Sequence, residues 1–387
     1  MALTINNFWG AETGGLEEVA GTIGSPSVSA GAAHSGGYGY SLPASTQILF
    51  QPFESVADAG DGYICGFWFR VVSGIADPQI FFAYEGGSQS NQIIDVSLAS
   101  DGDIEVRDAA VSLVGTTTSQ PISADTWYFI EIYFQHAASA NWEIFLDGTS
   151  VLSGSADDLD SGGTFDTTAH QAITNTGHFD DIYFLSGVTD PDNDRLGDAE
   201  VFAYRSTLAS ATPDSGSALD SGTWANLQEV PFNETNVGVY SGGAQSGAIT
   251  TDDAGGSAGT GGPNTDANID GDSNIIAHKG IVRMQRDGGS GTDHFIRLGN
   301  STQAVGSMAQ SADLDPTTSY ANYAFVTTSG LPSSSQYGRV GIEKSSGGQD
   351  FNCSDMLYTL LHVPDAGPAT PGIIFNPLRP VQHLLVR

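Results

Sequence analysis

The chain has 387 residues and is strongly acidic, with 12 Lys and Arg against 45 Asp and Glu and a formal net charge of −33. This charge would repel nucleic acid and anionic membrane surfaces, and no stretch approaches the roughly 18 apolar residues of a membrane helix. We therefore expect no nucleic-acid partner and no membrane insertion. The 49 glycines indicate many turns, and an aromatic content of 10% suffices for packed cores.

The two cysteines, Cys65 and Cys353, are too few and too distant in sequence for a disulfide framework. Cys65 lies in the apolar run YICGFWFRVV and is expected in the core. The N-terminal MALTINNFWG lacks a basic region followed by an apolar one, so it does not read as a secretory signal. We expect synthesis in a cytoplasm.

Strand patterns separated by Gly, Ser, Asp and Asn clusters recur along the chain, whereas helical periodicity is nearly absent. In WYFIEIYF, Glu131 falls between Ile130 and Ile132, the alternation of a strand with one buried face. Asp147-Gly148 predicts a hairpin turn. The predicted strands of the first domain are Ser41–Phe50, Tyr63–Val72, Gln79–Tyr84, Ile93–Leu98, Ile104–Arg107, Trp127–Phe134, Trp142–Leu146 and Phe179–Leu185, with a last strand in 196–204.

The sequence predicts an all-β chain of two antiparallel β-sandwich, jelly-roll-like domains with a C-terminal extended arm. The first domain spans 1–205, and the second spans 206–363 with a polar inserted loop at 251–274. Strands of the second domain are expected at Gly238–Ser241, Gly280–Gln285, His294–Leu298, Tyr320–Val326, Tyr337–Glu343 and Asp355–Val363.

The tail, 364–387, combines five prolines with apolar residues. Two interpretations stay open: an arm that docks on a neighbouring subunit, or a segment that packs back on its own domain. For docking, the expected partner-binding residues are Phe375, Leu378, Arg379, Leu384, Leu385 and Arg387.

An ordered set of segments carries a family resemblance. These are FWGAETGG (8–15), SGGYGYSL (35–42), FWFRVV (67–72), DTWYFIEIYF (125–134), WEIFLDGTSV (142–151) and GHFDDIYFL (177–185). Over about 1–205, this order resembles concanavalin A-like, laminin-G-like jelly-roll proteins of the type found in tailed-bacteriophage virions. The resemblance implies a capsid decoration, tail or fibre subunit.

The same pattern resembles carbohydrate-binding jelly-roll modules. In those modules an acidic residue near the start and an Asp in the closing strand hold a structural calcium. The matching positions are Glu12 and Asp180 or Asp181. The alternative is that Asp181 accepts backbone N–H bonds at a strand end and that no metal binds.

A weaker calcium pattern occurs in TDANIDGDSN, where Asp266, Asn268 and Asp270 alternate before a glycine. The bidentate Glu of an EF-hand loop is missing, because the twelfth position is Ala277, and a polar turn loop is the favoured interpretation.

No catalytic motif is evident. Asp101, Asp103 and Glu105 alternate in DGDIEVRD and are interpreted as a solvated strand face, and the eight histidines show no metal-binding spacing. Trp68 and Trp127 lie in apolar strands and are expected in the core, whereas Trp142 could face either way.

These observations predict a non-enzymatic virion structural protein made in the host cytoplasm. Its partners would be other virion proteins, further copies of itself (a trimer is common for such decorations and spikes) and host-surface glycans. The alternatives are a lectin-like carbohydrate-binding module and, less favoured, a polysaccharide-cleaving enzyme with two close carboxylates.

Overall fold

A computed structural model provides the structure of the chain. It describes residues 4–11, 14–16, 18–50, 62–75, 79–86, 91–204, 238–240, 245–250, 274–286, 294–300, 303–314, 316–332, 338–344 and 350–363. These residues fall into two compact units. The first contains the described residues of 4–11 and 16–200, and the second contains 14–15 and the described residues of 201–363. The predicted docking arm lies outside the described residues, as does nearly all of the predicted 251–274 loop.

The first unit is built from antiparallel strands. They are β1 Thr4–Trp9, β2 Gly21–Ile23, β3 Ser27–Ser29, β4 Gly39–Leu42, β5 Thr46–Phe50, β6 Gly62–Val72, β7 Gln79–Glu85, β8 Gln92–Leu98, β9 Ile104–Arg107, β10 Leu113–Thr116, β11 Tyr128–Gln135, β12 Ala140–Leu146, β13 Thr149–Asp157, β14 Phe165–Ala172 and β15 Thr176–Val188. A 3-10 turn, Ala30–Ala32, and a one-turn helix, α1 Pro191–Asp194, complete the described part of the unit.

Two sheets form this unit, as the predicted sandwich requires. In the described part of the chain, one sheet has the order β13-β12-β11-β6-β15-β4-β3, with β1 also paired to β15. The other has the order β10-β9-β8-β7-β14-β5-β2. We call them the first and second sheet. Asp147 and Gly148 both have positive φ in the β12–β13 hairpin, as their turn chemistry predicts.

The core lies between the two sheets and is rich in aromatic side chains. Alternate residues of β6, including Tyr63, Cys65 and Phe67, are buried against it. Trp142 also faces inward and donates its Nε1–H to Asp157 Oδ2 at 2.6 Å. A Cβ at Gly154, opposite Trp142 on β13, would lie 2.4 Å from the indole, so glycine is needed there.

The second unit has two further antiparallel sheets in its described residues. Its strands are β16 Glu200–Tyr204, β17 Gly238–Tyr240, β18 Gln245–Thr250, β19 Asn274–Arg286, β20 His294–Asn300, β21 Ala309–Gln310, β22 Ala321–Thr327, β23 Gly338–Lys344 and β24 Phe351–Val363, with a 3-10 turn at Val305–Ser307. One sheet has the order β16-β24-β19-β22, with β17 also on β24, and the other β18-β23-β20-β21. Val282, Val340 and Tyr358 belong to its core.

Two predictions about strands are wrong. The last strand predicted for the first domain, in 196–204, is β16, which pairs with β24 in a sheet of the second unit. The segment Ser41–Phe50 is not continuous: β4 joins the first sheet and β5 joins the second, so the chain changes sheets between Leu42 and Thr46. Pro43, which follows β4, has no backbone N–H for a ladder hydrogen bond and favours a break there. Among the described residues no helix is long and apolar enough to cross a membrane.

Candidate functional site

The two adjacent carboxylates of β15 lie where an extra residue interrupts the pairing of this strand with β6. Asp180 pairs with Trp68, and the next paired residue on β15 is Tyr183, opposite Gly66. Asp181 has a φ of 50°, in the left-handed region that Asp enters more readily than bulkier residues. This bulge lets both carboxylates contact one short segment before β4.

That segment supplies the hydrogen-bond donors for both carboxylates. Asp180 Oδ2 accepts the backbone N–H of His34 at 2.7 Å and that of Ser35 at 3.3 Å. Asp181 accepts the Ser35 hydroxyl at 2.8 Å, and its Oδ2 lies 3.2 Å from His34 Nδ1. Both Asp side chains are fully buried, so these donors replace water around the negative charge.

The calcium expectation at this pair stays a prediction, because Glu12 lies outside the described residues. The alternative interpretation has Asp181 accept backbone N–H groups. In the structure Asp180 accepts the backbone N–H groups, whereas Asp181 contacts side-chain donors. The second calcium pattern, Asp266, Asn268 and Asp270, also lies outside the described residues.

His34 links the carboxylates to an aromatic surface. Its imidazole stacks on the Trp68 indole, with ring centroids 3.6 Å apart and planes 13° apart. Trp68 Nε1–H donates to Asp198 Oδ1 at 3.2 Å. Partial desolvation, reinforced by the negative charge of Glu200, raises the pKa of Asp198 to about 6 although the side chain keeps solvent contact.

A second aromatic ring lies next to this stack. Trp127 contacts His34 edge-on at 5.5 Å, and the Arg70 guanidinium lies 4.9 Å from its ring centroid. Arg70 Nη2 also donates to His178 Nδ1 at 2.7 Å. Because an arginine only donates, Nδ1 must accept, which leaves the proton of the neutral imidazole on Nε2. Burial and the Arg70 charge lower the pKa of His178 to about 4.

The core prediction for Trp68 and Trp127 is wrong. Both side chains are half-buried. Trp68 takes an outward position of β6, because outward positions alternate with the core positions of Phe67 and Phe69. Trp127 directly precedes β11 and lies on the same side of the sheet as Arg70. We name His34, Trp68, Arg70, Trp127 and Asp198 the outer-face cluster. It combines two indoles, one guanidinium and one carboxylate on the surface of a single sheet.

The acidic run DGDIEVRD does not form one strand face. β9 begins at Ile104, so Asp101 and Asp103 lie in the preceding turn and only Glu105 lies on the strand. Asp103 accepts the hydroxyl of Thr117 at 2.9 Å and stabilises this turn. The side chain of Glu105 pairs with Arg107 at 2.5 Å.

Two groups of residues come together only through tertiary contacts, and the sequence predicts neither of them. His34 and Arg70 carry no motif, and their closeness to the tryptophans arises from pairing between strands distant in sequence. The eight histidines show no metal-binding spacing in the sequence. However, His136 converges with Glu85 and Asp160, which lie 51 and 24 positions away in the sequence. Such separations leave no local spacing signal.

Comparisons with known proteins identify solved structures that are similar to part of this chain. No protein-family model matches the sequence, and no curated protein matches it. Among solved structures, an endo-β-1,4-glucuronan lyase from Trichoderma reesei is 10% identical with a TM-score of 0.39, over 48% of this chain and 96% of that one.

Two further structures are similar to the same extent. Domain 4 of a GH43 extracellular arabinanase from Geobacillus stearothermophilus, determined with arabinotriose, is 12% identical with a TM-score of 0.37, over 50% of this chain and 98% of that one. The globular domain of Trypanosoma cruzi calreticulin is 11% identical with a TM-score of 0.35, over 47% and 87%. These neighbours are β-sandwich domains, and none of the three is a bacteriophage protein.

Proposed function

We propose that the first unit is a non-enzymatic carbohydrate-binding β-sandwich and that the outer-face cluster is its binding surface. The observation that carries this proposal is the presence of two half-exposed tryptophans, Trp68 and Trp127, beside charged hydrogen-bonding groups. Indole faces pack against the apolar faces of sugar rings, and Arg70 and Asp198 supply a donor and an acceptor for hydroxyl groups. The surrounding charge of −33 disfavours anionic polysaccharides, so we expect a neutral glycan.

The binding role is favoured over glycan cleavage by the state of the acidic pair. A retaining glycosidase requires two carboxylates about 5 Å apart on either side of the bond to be cleaved. Asp180 and Asp181 are adjacent, but both are fully buried and hydrogen-bonded to His34 and Ser35. A sugar ring could reach neither carboxylate without displacing that segment.

Affinity measurements with a panel of neutral polysaccharides test the proposal. We expect W127A to weaken binding about tenfold, the equivalent of about 1.4 kcal/mol for one lost stacking contact. Leu113 is also an exposed apolar side chain of the same unit but lies outside the cluster, so L113A is the matched control and should bind normally. Unchanged affinity in both W127A and W68A would overturn the assignment of the site.

The narrower setting of this proposal is a bacteriophage particle, on which the chain would bind other virion proteins and copies of itself. Its support is the ordered set of sequence segments and the apolar, Pro-rich composition of 364–387. Deletion of 366–387 should leave a folded protein that is no longer incorporated into particles. Normal incorporation of the truncated chain would contradict the role of the arm.

Calcium is proposed as the ion of the Asp180–Asp181 region, with Glu12 as a further ligand. Carboxylate oxygens are the ligands that calcium prefers. Melting curves of the chelator-treated protein with and without calcium test this idea, and D181N provides the comparison. A calcium-dependent rise in melting temperature that persists unchanged in D181N would place the ion elsewhere.

A further inference from the structure

Three metal-ligating side chains meet at one end of the sandwich in the first unit. Glu85 is the last residue of β7, which belongs to the second sheet, and His136 directly follows β11, which belongs to the first sheet. Asp160 lies in the connection between β13 and β14. The three residues therefore join both sheets and a loop at the same rim, away from the outer-face cluster in sequence and in contacts.

The donor atoms of these side chains point at one another. His136 Nε2 lies 2.7 Å from Glu85 Oε1 and 3.7 Å from Asp160 Oδ1. One ligand atom from each residue lies within 4.8 Å of the others. His136 and Glu85 are 0% and 1% exposed, whereas Asp160 is 20% exposed and borders solvent. A small ion could enter past Asp160 and meet all three side chains.

The loop after Asp160 fixes the orientation of both carboxylates. Glu85 accepts the Ser161 N–H at 2.8 Å, the Ser161 hydroxyl at 2.6 Å and the Gly163 N–H at 2.6 Å. Asp160 Oδ1 accepts the Gly162 N–H at 2.6 Å. A Cβ on Gly163 would lie 2.6 Å from Glu85 Oε2, so this close approach of the backbone requires glycine.

The surroundings of Glu85 suit an anionic carboxylate. Its oxygens accept hydrogen bonds from the N–H groups of Ser161 and Gly163 and from the Ser161 hydroxyl, and such bonds favour the charged form. Its anionic charge, together with that of Asp160, lies next to a single imidazole.

We propose that Glu85, His136 and Asp160 form a binding site for a divalent first-row metal of the zinc class. An imidazole nitrogen with two carboxylate oxygens is a ligand set that suits zinc better than calcium or magnesium, which prefer oxygen alone. Donor atoms around a tetrahedral zinc lie about 3.3 Å apart, given bonds of about 2.0–2.1 Å. The contact of His136 with Glu85 would open slightly, and its contact with Asp160 would shorten.

In this arrangement His136 uses the Nε2 lone pair for the metal and carries its proton on Nδ1. Three protein ligands leave a fourth position for water on the side of the partly exposed Asp160. The ion would tie the ends of β7 and β11 together and thereby clamp the two sheets. The competing arrangement is a metal-free clasp, in which His136 Nε2–H donates a hydrogen bond to Glu85.

Zinc titration of the full-length, chelator-treated protein distinguishes the two arrangements. With zinc at about 100 times its dissociation constant, we expect the melting temperature of the first unit to rise by about 5–10 °C. Calorimetric titration should give one zinc per chain. Cobalt bound in place of zinc should develop visible absorption bands typical of tetrahedral coordination.

Substitution of the partly exposed ligand keeps the test clear of folding defects. D160N leaves the buried Glu85–His136 contact intact and should weaken zinc binding at least about tenfold. D192N changes an exposed aspartate of α1 that is not one of the three ligands, and it should bind zinc with wild-type affinity. Absence of a zinc-dependent melting shift would establish the metal-free clasp. Equal zinc affinity in D160N and the wild type would place the ion elsewhere, and either result would overturn the proposal.

Discussion

His170 is a histidine packed among phenylalanines in the core of the first unit. Its ring lies 4.6 Å from Phe67 and 4.8 Å from Phe179, measured between centroids. Its Nδ1 bonds to the carbonyl oxygen of Ile80 at 2.8 Å. Complete burial lowers the pKa of His170 from 6.5 to about 4, because the protonated ring would lose its hydration. The folded protein therefore holds this imidazole neutral.

Acid should destabilise the first unit through His170. The unfolded chain binds a proton near pH 6.5 and the folded chain only near pH 4, so stability contributed by the neutral ring is present above pH 6.5 and is lost as pH falls toward 4. This difference in pKa corresponds to about 3 kcal/mol. The free energy of unfolding from urea denaturation at pH 7, 5.5 and 4 measures the loss.

A leucine of similar volume removes the titrating group. H170L should show a shallower dependence of stability on pH than the wild type. The remaining slope would come from other groups, including His178, whose half-buried position makes its contribution smaller. Parallel pH curves for H170L and the wild type would contradict the assignment of acid sensitivity to His170.

At the scale of elements, three neighbouring strands of the first sheet place a polar network on its outer face. The residues of this network lie in one row of paired positions across β11, β6 and β15. Gly66 pairs with Glu131 on one side and with Tyr183 on the other. The Tyr183 ring lies over Gly66, and its hydroxyl donates to Glu131 Oε1. Arg195 donates to Glu131 Oε2 at 2.9 Å, and Gly197 N–H donates to Oε1 at 3.1 Å. The buried charge of Glu131 is thereby compensated.

The row should not tolerate a side chain at its centre. A Cβ at Gly66 would lie 2.3 Å from the Tyr183 ring, so G66A must displace the ring and break its bond to Glu131. We expect a loss of about 3 kcal/mol in the free energy of unfolding, from overpacking and from a weakened bond to a charged group. Chemical denaturation followed by tryptophan fluorescence measures this change.

Gly31 gives the matched control for this substitution. A Cβ there meets no atom within 4 Å, so G31A should change stability by less than about 0.5 kcal/mol. In Y183F the hydroxyl is absent and the row is already weakened. G66A should then cost less in the Y183F background than in the wild type, and equal costs would show that Gly66 and Tyr183 act independently.

At the scale of the whole molecule, the net charge of −33 is the dominant electrostatic property. Like charges repel more strongly in the folded chain than in the expanded unfolded chain, so the charge lowers stability at low ionic strength. Salt screens this repulsion, with a Debye length of about 10 Å at 0.1 M and about 8 Å at 0.15 M. Stability should therefore depend on ionic strength more than on the identity of the salt.

The melting temperature should rise as sodium chloride increases from about 0.01 M to 0.15 M and should change little above that concentration. Differential scanning calorimetry at pH 7 measures the trend. Choline chloride is the control, because it screens charge without offering a small cation to the carboxylates. A melting temperature that falls with salt would show that attractive ion pairs outweigh the net repulsion.

The sequence by itself determined the all-β class and most strand positions. Alternation of apolar and polar residues is a local signal that each strand carries independently, as in β11 around Glu131. Turn chemistry is equally local, which is why Asp147-Gly148 predicted its hairpin. The alternation does not reveal what covers the outward face, so the sequence predicts a core position for Trp68 although its side chain is half-exposed.

Only the tertiary structure decided which side chains meet. His34 reaches Asp181 across 147 positions and His136 reaches Glu85 across 51, because sheet pairing brings distant strands and loops together. These contacts depend on strand register, on bulges and on the change of sheet between β4 and β5. None of these three features produces a fixed residue spacing in the sequence. Strand identity was therefore predictable from local periodicity, whereas the outer-face cluster and the proposed metal site depend on contacts between residues far apart in the chain.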